Sequence, residues 1–254
     1  MAINKYEIRI FAMQRSGQHA LVEWLCDHFH GPVYFRNNIL VGRSPARIMY
    51  RNVSAEVAKK DQEGELCNKD CFIFNVEDAP LLGIQKHLKV LQELPWGQSN
   101  AIFNVLLIRD VYNLMASRIQ SVKNSGKKCS RSQIDVAIHR WIDHANEYLG
   151  GTNYLNDAIK INYNRWCIDQ QYRRGVSSRL KLKFVDTGFN RVSSFGRGSS
   201  FDGLKYNCQA SKMKVLERWK QVNDAEFSRV FGHPVLKTLV EKIFGNVLSC
   251  ESAK

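Results

Sequence analysis

The chain has 254 residues, 44% of them hydrophobic, and 37 Lys and Arg against 24 Asp and Glu, for a net charge of +13. That is enough apolar material for one sizeable core, and residues 1–254 are expected to form a single domain. No apolar run reaches membrane-spanning length, so no membrane-spanning helix is expected within it, and the basic balance favours an anionic partner: nucleic acid, an acidic membrane or a phosphorylated small molecule.

In chain order, YEIRIFAM (6–13) reads as a strand, 20–29 as a helix and PVYF (32–35) as a strand. The stretch 41–70 carries charges, Gly64 and few apolar residues, and reads as a loop or insertion. A strand over CFIFNV (71–76), a helix over 82–94 and a strand over FNVLLI (103–108) follow. Helical periodicity covers 111–122 and 131–149; then come a strand over AIKIN (158–162), a helix over 164–174 and a strand over LKLKFV (180–185). Residues 186–208 are rich in Gly, Ser, Asn and Arg and form a long loop, of the kind that is usually functional in a compact domain. Helices are expected again over 211–221, 224–231 and 234–244. Strand and helix alternate, and several strands are continuously apolar, as a sheet buried on both faces requires. The fold class is therefore α/β: three α/β/α layers around a mostly parallel sheet.

MAINKYEIRIF has no basic region followed by an apolar core, so no signal peptide is expected. Seven scattered cysteines, odd in number, suit a soluble protein of a reducing, cytoplasmic compartment. Cys67 and Cys71 have no second Cys or His pair at zinc-site spacing, so no metal is expected.

Two strand-to-helix corners carry the chemistry. In FAMQRSGQHALVEWL an apolar strand runs into Arg15, Ser16, Gly17, Gln18 and His19, then a helix. Such a turn exposes backbone N–H groups at the positive end of a helix dipole, which suits an oxyanion. Gly17 allows close approach, Ser16 brings a hydroxyl and Arg15 a permanent forked cation. The Walker A spacing is absent: no Gly stands five residues before Gly17 and no Lys-Ser or Lys-Thr follows it. In FNVLLIRDVYNLMASRI a second strand ends at Arg109 and Asp110, with Ser117 eight residues beyond Arg109 in the next helix. Arg109 thus stands at a strand's carboxyl end, where open α/β sheets bind ligands.

Taken together, QRSGQHAL and LLIRDVYNLMAS resemble the two nucleotide motifs of the sulfotransferases that use 3′-phosphoadenosine 5′-phosphosulfate (PAPS). The resemblance implies the P-loop-NTPase-like sulfotransferase fold. It also implies that Arg15, Ser16 and Gly17 hold the 5′-phosphosulfate and that Arg109 and Ser117 hold the 3′-phosphate. IKINYNRW is similar to the family's strand ending in a Tyr near adenine, which points to Tyr163. SFGRGSSFDG is similar to its late glycine-rich basic loop, which points to Arg197 and Gly198. VLERWKQV resembles its C-terminal helix with an Arg-Trp pair, Trp219 being read as core. Gln18 and His19 replace the family's threonines, and Ala20 replaces a Trp that stacks on adenine in some members, so the adenine wall must come from elsewhere.

The implied activity is sulfuryl transfer from PAPS to a hydroxyl or amine, a carbohydrate hydroxyl being one option, with adenosine 3′,5′-bisphosphate (PAP) leaving and no metal needed. Arg15 is expected to stabilise the leaving oxygen electrostatically, since guanidinium does not deprotonate in proteins. The expected general base is Glu77, then Asp78, then His19. His139 and His144 read as helix-face histidines, and Lys127, Lys128 and Arg131 as a charge cluster. A non-enzymatic nucleic-acid-binding protein and a P-loop phosphotransferase are the alternatives. The first lacks any RNA-binding signature and the second its lysine and metal-holding hydroxyl.

Overall fold

The computed structural model describes residues 2–39, 47–92, 96–195 and 198–248. Six strands, β1 (Ala2–Ala12), β2 (Val33–Asn37), β3 (Arg47–Arg51), β4 (Lys69–Glu77), β5 (Gln98–Ile108) and β6 (Ile159–Asn162), form one sheet in the order β3-β2-β4-β1-β5-β6. Every pairing is parallel except β2 with β3. The helices are α1 (Gln18–Cys26), α2 (Ala55–Gln62), α3 (Ile84–Gln92), α4 (Val111–Lys123), α5 (Arg131–Leu149), α6 (Tyr163–Ile168), α7 (Gln170–Arg179), α8 (Ala225–Phe231) and α9 (Pro234–Phe244). They cover both faces of the sheet. No helix among the described residues is long and apolar enough to cross a membrane.

The layers follow from strand alternation. Ile8, Ile10 and Ala12 of β1 point to one face, where they pack with Leu21, Trp24 and Leu25 of α1 and with Trp166 of α6. Phe11 points to the other face and joins Phe72, Phe74 and Leu106 beneath Ile84, Leu88 and Leu91. A third cluster binds α4 and α5 to α8 and α9 through Ile119, Trp141, Phe227 and Leu236. Because β1 lies between β4 and β5, and β6 follows β5, four strands deliver their carboxyl ends side by side.

Four sequence expectations are corrected. LKLKFV (180–185) is not a strand. Lys181 takes a positive φ of 57°, and Leu182 and Phe184 pack partly buried on the first core cluster without joining the sheet edge. The segment is pinned instead by Asp186, which accepts from Trp24 Nε1 at 2.9 Å and from Arg173 Nε and Nη2 at 2.8 and 2.9 Å. The helix expected over 164–174 divides at Asp169, whose extended backbone (φ −117°, ψ 106°) ends α6 while its carboxylate caps α7 through Tyr172 N.

The helix expected over 211–221 is replaced by two short 3₁₀ turns, Ala210–Lys212 and Arg218–Gln221. Buried Asn113 of α4 takes over that segment's backbone. Its Nδ2 donates to Leu216 O at 2.9 Å, and its Oδ1 accepts from Arg218 N at 2.7 Å and Trp219 N at 3.3 Å. The stretch 41–70, expected as a loop or insertion, instead holds β3, α2 and the first residues of β4, because its few apolar residues pack β3 on β2 and α2 is capped by Ser54; its residues 41–46 lie outside the described residues.

Asn113→Ala should therefore strand three buried backbone groups and release the segment that carries Val215 and Arg218. Urea unfolding should show a loss of about 2 kcal/mol, and an unchanged midpoint would remove Asn113 from this role.

Candidate nucleotide site

The corner between β1 and α1 is held by two residues with positive φ, Arg15 (67°) and Gly17 (92°). A Cβ on Gly17 would stand 2.1 Å from Cε2 of Tyr163, so the aromatic ring fills the space that any other residue would need. Gly17 is the N-cap of α1 but offers no side-chain cap, and the first turn of the helix holds no acidic residue. The first N–H groups of α1 thus keep the positive end of the helix open to an anion. Ser16 is fully buried, and its Oγ has no hydrogen-bond partner.

The second corner meets the first. Arg109 is 5% exposed, and its Nη1 donates to Arg15 O at 3.0 Å and to Ser117 Oγ at 3.2 Å. Its Nη2 donates to Val215 O, and its Nε is buried without a partner. The guanidinium carbon lies 5.3 Å from the centroid of the Tyr163 ring. Asp110 fixes the corner by accepting from Asn113 N at 2.9 Å and from Asn164 Nδ2 at 2.8 Å. Two segments 94 residues apart in sequence are thereby joined by one hydrogen bond.

Together they line a cleft of about 270 Å³. Of the sequence-assigned residues, the cleft brings together Arg15, Gly17, Gln18, His19, Glu77, Arg109, Ser117, Tyr163 and Gly198. Ser16 and Asp78 do not line it, and Arg197 lies outside the described residues. Gly198 (φ 76°) begins a tight turn closed by Ser199 N to Gly203 O at 3.0 Å, where a Cβ would meet Gly203 O at 2.3 Å. The turn presents Ser199 and Ser200 to the cleft near Ser117 and Ser121. A neighbouring pocket of about 260 Å³ shares Ala20, Tyr163, Met213 and Val215 with the cleft and adds Trp166 and Phe189. It supplies the aromatic and apolar surface that Ala20 does not.

Glu77 ends β4 as the carboxylate of the cleft, 9% exposed. Gln18 Nε2 donates to its Oε1, as does Asn75 Nδ2 at 3.3 Å. Asn75 is fully buried and also donates to Asn37 Oδ1 at 3.2 Å, which in turn accepts from His19 Nε2 at 2.9 Å. One amide thus ties Glu77 and His19 into a single network. Burial, reinforced by the Asp78 charge, raises the Glu77 pKa above the usual carboxylate range, while the side-chain hydrogen bonds partly oppose this.

Asp78 (φ 54°) has a different place. Its oxygens accept from Arg118 Nη1 and Nη2 at 2.8 and 3.0 Å, and its Oδ1 also accepts from Gln14 N at 3.1 Å. It clasps the end of β4 to α4 and to the first corner. Three guanidinium groups crowd this end of the sheet. Burial lowers the Arg15 pKa; Glu77 opposes that, and Arg109 and Arg118 add to it. The cluster is short of negative charge.

Arg218, 3% exposed and paired with Asp202, also lines the cleft, as do Ser121 and Asn37. The sequence did not assign them to the site: Arg218 stood in the quoted Arg-Trp pair with no role given, and Ser121 and Asn37 lay outside the motifs. Trp219 packs partly buried on the third cluster, in keeping with its core reading. His144 is buried, and its Nε2 lies 3.5 Å from Ala79 O, while His139 Nδ1 lies 2.7 Å from Asp135 O; neither lines the cleft. Lys127, Lys128 and Arg131 are exposed outside it.

No family model and no curated protein matches the sequence. Among solved structures, the mouse sulfotransferase SULT7A1 complexed with PAP superposes with a TM-score of 0.54 at 12% identity, covering 93% of this chain and 89% of that one. The sulfotransferase domain of the Synechococcus PCC 7002 olefin synthase superposes at 0.52 and 13% identity, covering 94% and 96%. The chain has the fold of PAPS-dependent sulfotransferases.

Gly17→Ala should be destabilised by more than about 1 kcal/mol, because strained φ and the clash with Tyr163 act together. Thermal unfolding measures this; wild-type stability would show that the Tyr163 ring does not constrain the corner.

Proposed function

We propose that residues 1–254 form one sulfotransferase domain, which moves a sulfuryl group from PAPS to the hydroxyl or amine of an acceptor. The observation that carries this reading is the bond from Arg109 Nη1 to Arg15 O at 3.0 Å, with both residues lining one cleft. The fold shared with a PAP-complexed sulfotransferase supports it. The cation excess of the cleft and the open N-terminus of α1 supply what an anion at two separate points requires.

In this reading the α1 N-terminus and Arg15 receive the 5′-phosphosulfate. Arg109, Ser117 and the 198–203 turn receive the 3′-phosphate, and Trp166, Phe189 and Met213 flank the adenine. The acceptor oxygen forms a bond to sulfur as the bond from sulfur to the 5′-phosphate oxygen breaks. The electron pair goes to that oxygen, where Arg15 stabilises it, and PAP leaves. Glu77 takes the acceptor's proton, and Gln18 and Asn75 hold its carboxylate toward the cleft. Asp78, occupied by Arg118, is the weaker candidate. His19 reports on the same network through Asn37.

PAP should raise the melting temperature, by an amount corresponding to about 2.7 kcal/mol at a hundredfold excess over its dissociation constant, and ATP with Mg²⁺ should do much less. Stabilisation by ATP alone would favour phosphoryl transfer instead. Glu77→Gln should lower turnover roughly 10²- to 10⁴-fold. Because the Glu77 carboxyl titrates above its unfolded value, its protonated form favours the fold at acid pH, and that advantage disappears as pH rises through the folded pKa. Wild-type turnover should rise over the same interval, while the Gln variant should gain stability relative to wild type above it. A Gln variant that retains full turnover removes Glu77 from the reaction.

A further inference from the structure

A second cleft of about 440 Å³ adjoins the first, and among the described residues the two share Glu77 and Gln14. This volume falls in the range of small-molecule sites. Asn38, Asp78, His87 and Arg140 supply its polar wall, and among the described residues no Phe, Tyr or Trp lines it. A phenol or a lipid chain finds little to stack on there.

The charges of this wall are unevenly matched. Asp78 is already gripped through both oxygens by Arg118. Arg140, half-buried on α5, donates through Nη1 to the carbonyl oxygen of Asp78 at 2.6 Å and forms no ion pair among the described residues. Among the described residues, one guanidinium therefore lines the cleft without a carboxylate of its own, while Glu77 is the carboxylate that both clefts share. Arginine's fork fits an oxyanion.

Resting on the sulfotransferase reading above, we propose that this second cleft seats the acceptor, and that the acceptor is an alcohol carrying an oxyanion. Arg140 pairs with the oxyanion while the hydroxyl reaches Glu77. The hydroxyl proton passes to Glu77 and the new oxygen–sulfur bond forms at the boundary between the clefts, opposite the departing PAP. Gln14 and Glu77, which line both clefts, mark that boundary.

The test uses the full chain with sulfur-labelled PAPS and matched acceptors: glucose against glucuronate and glucose 6-phosphate, and benzyl alcohol against its para-carboxylate. The anionic members should be favoured in kcat/KM by roughly tenfold, the size of one charge-assisted pairing. Arg140→Gln keeps an amide donor for the Asp78 carbonyl but removes the charge. It should abolish the preference chiefly through KM and leave PAP affinity unchanged, and Arg140→Lys should restore part of it. Carboxylate and phosphate forms of glucose show which oxyanion the fork prefers. Equal or better use of the neutral members, a preference that survives Arg140→Gln, or no transfer to any anionic member overturns the proposal. If PAP itself fails to bind, the underlying sulfotransferase reading falls instead, so the two failures are distinct.

Discussion

A single hydrogen bond, from the Arg109 guanidinium to the backbone oxygen of Arg15, fixes the distance between two corners that the chain separates by 94 residues. Sheet order makes that bond possible. With β5 beside β1 and β6 beside β5, the turns after all three strands emerge in a row. Tyr163, the first residue after β6, then packs its ring against Gly17 and beneath Arg109. Without glycine at 17 the ring has no room, and without the ring Arg109 loses the face it rests on.

This arrangement concentrates positive charge. Burial weakens Arg15's hold on its proton, Glu77 opposes that, and Arg109 and Arg118 add to it, while Asp78 is engaged by Arg118. Ser16 Oγ and Arg109 Nε remain buried without partners, which a folded protein tolerates where strain or function requires it. In the proposed function, a nucleotide with an anionic group at each end supplies the missing counter-charge. Glu77 carries the opposite burden: burial, with the Asp78 charge, makes its carboxylate costly and raises its affinity for a proton. The Asn75 amide holds that carboxylate in place and reaches His19 through Asn37, so the polar side of the cleft is built as one unit.

Much of this was legible in the residues. Continuous apolar runs such as VLLI (105–108) are buried on both faces, and β4, β1 and β5 lie where they were expected. The Arg-Ser-Gly and Arg-Asp corners follow from a glycine or an arginine at a strand's carboxyl end. Other features depend on distant partners that no local window contains. LKLKFV alternates like a strand, but its segment is claimed by Asp186, Arg173 and Trp24. The periodicity of 211–221 looks helical until Asn113 takes its backbone donors. Asn75 enters the cleft network through tertiary placement alone, and Arg218, although part of the quoted Arg-Trp pair, reaches the cleft only because the segment after Val215 is held on α4 by Asn113.

The most direct measurement of the central claim is calorimetric: dissociation constants of PAP and of 5′-AMP for wild type and for Arg109→Ala. If one corner holds the 5′ end and the other the 3′-phosphate, PAP binds wild type at least roughly tenfold more tightly than 5′-AMP, a difference of about 1.4 kcal/mol. In Arg109→Ala the ratio collapses toward one while 5′-AMP binding persists. Equal wild-type constants for the two nucleotides, or a PAP preference untouched by Arg109→Ala, would contradict the account.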